Sequence, residues 1–201
     1  MSKTILRLAS LMLLLVVATG ASAAPLRRDA AGCVGGQDPP PTGTVTVGLD
    51  PASVAVIPER VFSMDIVVDA RSRAVDGAEV HMDFDPDYLT VVDEVGQPAS
   101  GIIGGVALPF QIENTVDNSL GEIHYSAGKI SPGAVQIPFV LASIRFRAEE
   151  LVPHTEVTFR VDGYRATKVT IGLTLVPIHA ITDGAVRVFV HRFYIPLVVR
   201  E

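Results

Sequence analysis

A strict alternation of apolar and polar residues runs through most of the chain and limits what it can fold into. Because successive side chains of a strand point to opposite faces, this period is typical of strands with one buried face. Seven segments show it, with the apolar members Val45, Val47 and Leu49; Phe62, Met64, Ile66 and Val68; Ala78, Val80, Met82 and Phe84; Ile123, Tyr125 and Ala127; Val140, Ala142, Ile144 and Phe146; Val157, Phe159 and Val161; Val186 and Val188.

Turn-forming residues separate these segments, and no segment keeps an apolar repeat at helical spacing. The chain also contains 17 glycines and 14 prolines, which disfavour long helices. We therefore predict one all-β domain over residues 44–190, an antiparallel β-sandwich whose two sheets close over a shared core. The turns stand at Asp50-Pro51, Asp76-Gly77, Asp85-Pro86, Asp117-Asn118, Ser131-Pro132-Gly133 and Asp183-Gly184.

The N-terminal 23 residues have the pattern of a secretory signal peptide. Lys3 and Arg7 precede an apolar run at residues 11–18, and Ala21-Ser22-Ala23 supplies the small residues of a cleavage site. The run is shorter than the roughly 20 apolar residues of a transmembrane helix. We expect a secreted or cell-surface bacterial protein whose mature chain does not span a membrane.

Residues 24–43 are rich in proline and glycine and predict a flexible tether. The single cysteine, Cys33, lies in this tether and has no internal disulfide partner; its Ala-Ala-Gly-Cys context leaves lipidation as a minor alternative. Residues 191–201 form an apolar tail that includes Phe193 to Val199. The tail is either a last strand or arm on the sandwich, or an anchoring or sorting signal.

Charge argues against two classes of partner. The formal net charge is −6, and removal of the predicted signal peptide with Lys3 and Arg7 makes it −8. An acidic chain without a basic stripe is repelled by phosphate backbones and anionic lipids. We expect neither nucleic-acid binding nor electrostatic membrane binding.

The segment from Asp83 to Glu94 carries acids at the spacing of an EF-hand calcium loop. However, Tyr88 occupies the position that needs a glycine, and Pro86 lies inside the loop. Strand parity offers another interpretation, in which Asp83 belongs to the wet face of a strand that ends at the Asp85-Pro86 turn. We predict this strand and turn, with a different calcium site at the strand end as the remaining alternative.

No arrangement of residues points to catalysis or to a bound cofactor. The histidines lie in separate segments without metal-ligand spacing, and no nucleophile elbow, phosphate-binding glycine loop or C-x-x-C pair is found. Acidic pairs such as Glu149 and Glu150 are more simply solvated loop ends than glycosidase acids. We predict a non-enzymatic protein with no cofactor and no metal. The histidines are His81, His124, His154, His179 and His191.

The run GAEVHMDFDPDYLTVVD at residues 77–93 resembles the signature strand and turn of cohesin domains. Further segments are similar to the family in the same order: NSLGEIHYSA at 118–127, FVLASIRFRA at 139–148, the strand at 155–159 and the closing DGAVRV at 183–188. The resemblance covers most of the mature chain. It implies a jelly-roll sandwich of about nine strands that docks a calcium-loaded dockerin module on one sheet face.

The resemblance also implies where a partner would bind. Alignment on Phe84-Asp85-Pro86 puts Glu79 at a position where cohesins carry a dockerin-contacting acid, and Gly77 at the position of a contacting asparagine. Parity places Glu79, His81 and Asp83 on one outward face, so we predict these three residues as the partner-binding site. For Glu79 alone, the alternative is a solvated residue without a partner.

Two alternatives to dockerin binding remain at this stage. Related sandwiches bind carbohydrate through aromatic platforms, but this chain has no Trp and only four Tyr residues. Tyr125 falls in the apolar phase of its strand and is predicted to be core. The small number of aromatic rings weighs against a flat polysaccharide ligand. The two alternatives are therefore binding of a soluble glycan and a surface-structural role without a specific ligand.

Overall fold

The computed structural model describes residues 44–130 and 133–190, which form fourteen strands and no helix. Accordingly, no helix that could cross a bilayer occurs within this part of the chain. The strands are β1 (Val45–Asp50), β2 (Ser53–Val56), β3 (Val61–Asp69), β4 (Gly77–Phe84), β5 (Leu89–Val91), β6 (Ile103–Gly104), β7 (Phe110–Asp117), β8 (Glu122–Gly128), β9 (Phe139–Ala148), β10 (Val152–Phe159), β11 (Lys168–Ile171), β12 (Thr174–Val176), β13 (Ile178–Thr182) and β14 (Gly184–Val188).

The strands form two sheets, and the all-β prediction is confirmed. The first sheet has the order β13-β1-β3-β9-β5, with β6 also paired to β9. The second has the order β12-β11-β4-β10-β14-β2, with β8 on the other side of β4 and β7 outside β8. There are more strands than the nine expected because several short ones, such as β5, β6 and β12, were not visible as separate alternating segments.

Two of the pairings correct the expectation of a purely antiparallel sandwich. β13 lies parallel to β1, and β14 lies parallel to β2, while the other pairings are antiparallel. The chain passes from the first sheet to the second twice, between β1 and β2 and between β13 and β14. Gly184 lies at the second crossing, where a Cβ atom would come within 2.7 Å of Leu49 Cδ1 and 2.5 Å of Met64 Cε. A side chain at this crossing would therefore require the ends of the Leu49 and Met64 side chains to shift.

The alternating apolar residues meet in a single cluster between the sheets. Ile66 from the first sheet and Met82 and Ile123 from the second are fully buried. Phe146 of β9 stacks on Phe62 and meets Phe84 edge to face, with ring centroids 5.7 and 5.5 Å apart. Contacts between aromatic rings across the core add to the stabilisation from burial.

One apolar residue lies on the wrong side of this alternation. Val140 was expected in phase with Ala142, yet it is partly exposed while Leu141 is buried. The pairing of β3 with β9 shifts register between Ile66 and Val67, so two neighbouring residues of β9 both face inward. A β-bulge of this kind reverses the parity of the residues before it.

The predicted signal peptide, the tether with Cys33 and the apolar tail at 191–201 lie outside the described residues. Their assignments stay predictions.

Candidate partner-binding face

Strand β4 holds the predicted site residues in the middle of the second sheet. On one side it pairs with β8, so that Glu79 lies opposite Ser126, His81 opposite His124 and Asp83 opposite Glu122. On the other side β10 covers its C-terminal half and β11 its N-terminal half. A strand paired on both sides presents its outward side chains on a rigid platform.

We call the outward surface of this part of the sheet the polar face. It is built from side chains of β4, β7, β8 and β11 and of the loop that follows β10. Its members are Glu79, His81 and Asp83; Glu113; Glu122 and His124; Arg160 and Arg165; and Lys168.

Arg160 joins two of the acids on this face. Its Nε donates to Asp83 Oδ2 at 2.8 Å, and its Nη2 donates to Asp83 Oδ1 at 2.5 Å and to Glu122 Oε1 at 2.6 Å. The pKa of the Arg160 guanidinium is raised, first by the hydrogen bonds to Asp83 and then by those to Glu122. Paired donation from a guanidinium fixes a carboxylate in orientation as well as position. Asp83 is thus held in place and is still 43% exposed in its side chain.

Glu79 lies at the other end of β4, where it makes a hydrogen bond with His81 and a longer ion pair with Lys168. Its Oε1 is 2.7 Å from His81 Nε2 and 3.7 Å from Lys168 Nζ. The side chain is 38% exposed, so it keeps capacity to accept a further hydrogen bond from outside.

His81 departs from the predicted exposed surface. Parity is correct, because its side chain is on the same face as Glu79, but the residue is only 4% exposed. Its ring packs edge to face on the ring of His124, with centroids 4.8 Å apart, and the neighbouring Glu79 carboxylate accepts from its Nε2. His81 Nδ1 is buried without a hydrogen-bond partner. The residue is therefore a buried support of the face and not a contact surface.

His124 has charged groups on both sides of its ring. Its Nε2 lies 3.1 Å from Arg165 Nη1, and its Nδ1 lies 3.6 Å from Glu113 Oε1. Desolvation lowers the pKa of His124, the positive charge of Arg165 and the neighbouring His81 lower it further, and the carboxylates of Glu113 and Glu122 act in the opposite direction. The net effect favours the neutral ring.

The acidic segment after β4 forms a turn, as the strand interpretation predicts. Asp85 Oδ1 accepts from the backbone N–H of Asp87 at 3.0 Å, and Asp93 Oδ1 accepts from the backbone of Val95 and Gln97. These carboxylates cap their own turns. Within residues 44–130 and 133–190, no group of three or more His, Cys, Asp or Glu side chains is arranged to hold a metal ion.

The tyrosines do not form a platform in the described part of the chain. Tyr125 is 1% exposed, which confirms its assignment to the core. Tyr88 is half-buried against the core, and Tyr164 is exposed in the loop between β10 and β11. Tyr194 lies in the tail outside the described residues.

An apolar cleft adjoins the polar face and was not predicted from the sequence. Four exposed apolar residues, Phe110, Ile112, Ile130 and Leu173, line a cleft of about 430 Å³ beside Gly77. The alternation of Phe110 and Ile112 is visible in the sequence, but it would predict a buried face. Both side chains are exposed because β7 is an edge strand.

Comparisons with known proteins come from structure alone. No protein-family model matches the chain, and no curated protein sequence matches it significantly. The fold is similar to CaCohA2, a cohesin of Clostridium acetobutylicum solved in solution, with a TM-score of 0.59 and 15% identity over 73% of this chain and 92% of that chain.

A type II cohesin from the cellulosome of Acetivibrio cellulolyticus has a TM-score of 0.58, 16% identity and coverage of 73% of this chain and 95% of that one. The chain has the cohesin fold. A type I cohesin–dockerin complex from Clostridium thermocellum is also similar, with a TM-score of 0.57 and 11% identity over 72% of this chain and 93% of that chain. The jelly-roll sandwich expected from the sequence is thereby confirmed. At these identities the likeness concerns the cohesin fold only.

Proposed function

We propose that this protein is a secreted, non-catalytic binding module that docks a dockerin-type protein module through the polar face. The observation that carries the proposal is the pair of half-exposed carboxylates, Glu79 and Asp83, on the central strand of a cohesin-fold sheet. Solved structures with this fold include complexes of a cohesin with a dockerin. The site residues themselves rest on the sequence resemblance and on this geometry.

The physical case for docking is preorganisation. Asp83 is already oriented by Arg160, and Glu79 by His81 and Lys168, so little side-chain entropy is lost when a partner adds a hydrogen bond. Charged groups placed in this way give orientation and specificity more than bulk affinity. The apolar cleft beside Gly77 adjoins this surface and offers area that a partner can bury.

The charges of the face also support a role without catalysis. Arg160 binds Asp83 through Nε and Nη2 and Glu122 through Nη2, so these acids belong to an ion-pair network. Paired donation from a guanidinium occupies the carboxylate oxygens on which a general acid would carry its proton.

The test is a binding screen of the full chain against calcium-loaded dockerin modules, beside a glycan array. For any dockerin that binds, Glu79→Ala should weaken binding by about 1–3 kcal/mol through loss of a charge-assisted hydrogen bond. The matched control is Glu150→Ala, at an exposed acid after β9 and outside the polar face. Thermal melting of both variants checks that the fold is kept.

Three results would count against the proposal. Failure of every dockerin to bind would reject the partner class, and an unchanged affinity for Glu79→Ala would reject the face. Specific retention on the glycan array without any dockerin binding would favour the carbohydrate-binding alternative.

A further inference from the structure

The contact between His124 and Arg165 can exist in only one protonation state. Arg165 Nη1 lies 3.1 Å from His124 Nε2, and a guanidinium can donate but not accept. His124 Nε2 must therefore be the acceptor, which places the proton of the neutral ring on Nδ1, on the side of Glu113. A second proton on the ring removes the acceptor and leaves two cations in contact, which then compete for Glu122 Oε2 at 3.5 Å from both nitrogens.

The surroundings of His124 carry an excess of negative charge, which one proton on the ring reduces by one. Five carboxylates stand against three permanent cations, which leaves two negative charges in excess while His124 is neutral. The carboxylates are Glu79 and Asp83 on β4, Glu113 and Asp117 on β7 and Glu122 on β8; the cations are Arg160, Arg165 and Lys168, and the ring of His81 packs against His124 from β4.

Arg165 belongs to an exposed loop that is also tied to the sheet by a hydrogen bond of 3.2 Å from Lys168 Nζ to Tyr164 O. Residues 161–165 are exposed, and the backbone of the loop is closed at its base by a hydrogen bond from Thr167 N to Arg160 O of 2.7 Å. The Arg165 side chain reaches the sheet at His124 and, at 3.5 Å, at Glu122. Loss of the His124 contact thus weakens the attachment of the loop tip while the base stays paired.

We propose that His124 makes the polar face pH-responsive: protonation of its ring releases Arg165, moves the 161–167 loop away from β8 and adds a positive charge to the surface. The link to a partner rests on the function proposed above, whereas the conformational step does not. A partner that presents cationic groups to Glu79 binds less tightly after the proton is added.

The conformational step is tested without a partner, by NMR of the full chain between pH 7.5 and 5. We expect the His124 ring to titrate with a midpoint below the ordinary value of about 6.5, and the Arg165 Nε–H signal to shift with the same midpoint. In His124→Gln, whose amide oxygen can accept from Arg165, the Arg165 signal should stay constant. The matched control His154→Gln alters an exposed histidine on β10 and should leave the response intact.

A constant Arg165 signal in the unmodified protein, or a response that persists in His124→Gln, would overturn the switch. The regulatory link is tested with a dockerin that binds at pH 7.5. Between pH 7.5 and 5.5, the affinity of this dockerin for the unmodified protein should fall about fivefold or more beyond its fall for His124→Gln. Comparing the two proteins removes the partner's own pH dependence. If the Arg165 signal shifts with pH but no dockerin binds at any pH, the proposed function alone is rejected. If the dockerin affinity falls equally for the unmodified protein and for His124→Gln, the regulatory link is rejected.

Discussion

Replacement of Gly121 by alanine tests whether the turn before β8 fixes the end of β4. Gly121 is buried, has a positive φ of 70°, and its carbonyl accepts from Phe84 N at 2.8 Å. A Cβ atom here would lie 2.0 Å from Phe84 O and 3.0 Å from Pro86 Cδ. Because the first clash is with backbone, it can be relieved only by moving the turn or the strand that carries Asp83.

The expected cost has two parts. A non-glycine residue in the left-handed region costs about 1–2 kcal/mol, and forcing the backbone apart costs roughly 1–3 kcal/mol more. The total of about 2–5 kcal/mol should lower the melting temperature by about 4–20 °C, since each kcal/mol corresponds to about 2–4 °C in a domain of this size. The assay is thermal unfolding of the full chain, followed by circular dichroism.

Gly96→Ala is the matched control. Gly96 has a similar φ of 81°, but a Cβ atom built on it meets nothing within 4 Å. This variant should show the conformational cost alone, about 1–2 kcal/mol. Equal melting temperatures for the two variants would refute the steric argument, because they would mean that the close approach to Phe84 adds nothing.

Two further perturbations address the polar face. Arg160→Gln removes the guanidinium that joins Asp83 to Glu122 and should destabilise the fold by about 1–2 kcal/mol in denaturant unfolding. The control Arg60→Gln, at an exposed arginine before β3, should change stability by less than about 0.5 kcal/mol, and similar values for the two variants would contradict a stabilising role of the network. Because the pKa of His124 is lowered in the fold, its neutral form contributes stability that is present above about pH 6.5 and lost as the pH falls through the folded value; the stability–pH curve of His124→Gln should be flatter between about pH 7 and 5, and an unchanged curve would contradict this.

The alternation of apolar residues was enough to predict the strands and the buried face of β4. Met82 and Phe84 are buried and Glu79 and Asp83 point outward, as a period of two requires. This prediction succeeds because parity is a local property of the chain.

The burial of His81 could not be predicted in the same way. Parity gives the direction of its side chain, but the ring is covered because His124 lies directly opposite in β8. The register of β4 against β8 brings together residues that are 43 positions apart, and no local pattern specifies it. The same reason explains why Arg160 and Arg165 were not recognised as part of the site. Their loop crosses the face only because β10 and β11 pair with successive halves of one strand.

The parallel pairings at the two sheet crossings have a mechanical consequence. The described chain enters through β1, which is paired in parallel with β13, and leaves through β14, which is paired in parallel with β2. Tension applied between these two ends acts along both ladders, so their hydrogen bonds carry the load together and do not open one after another. When the module is held at one end and pulled at the other, the first strands to bear the tension are therefore also the ones that resist its opening.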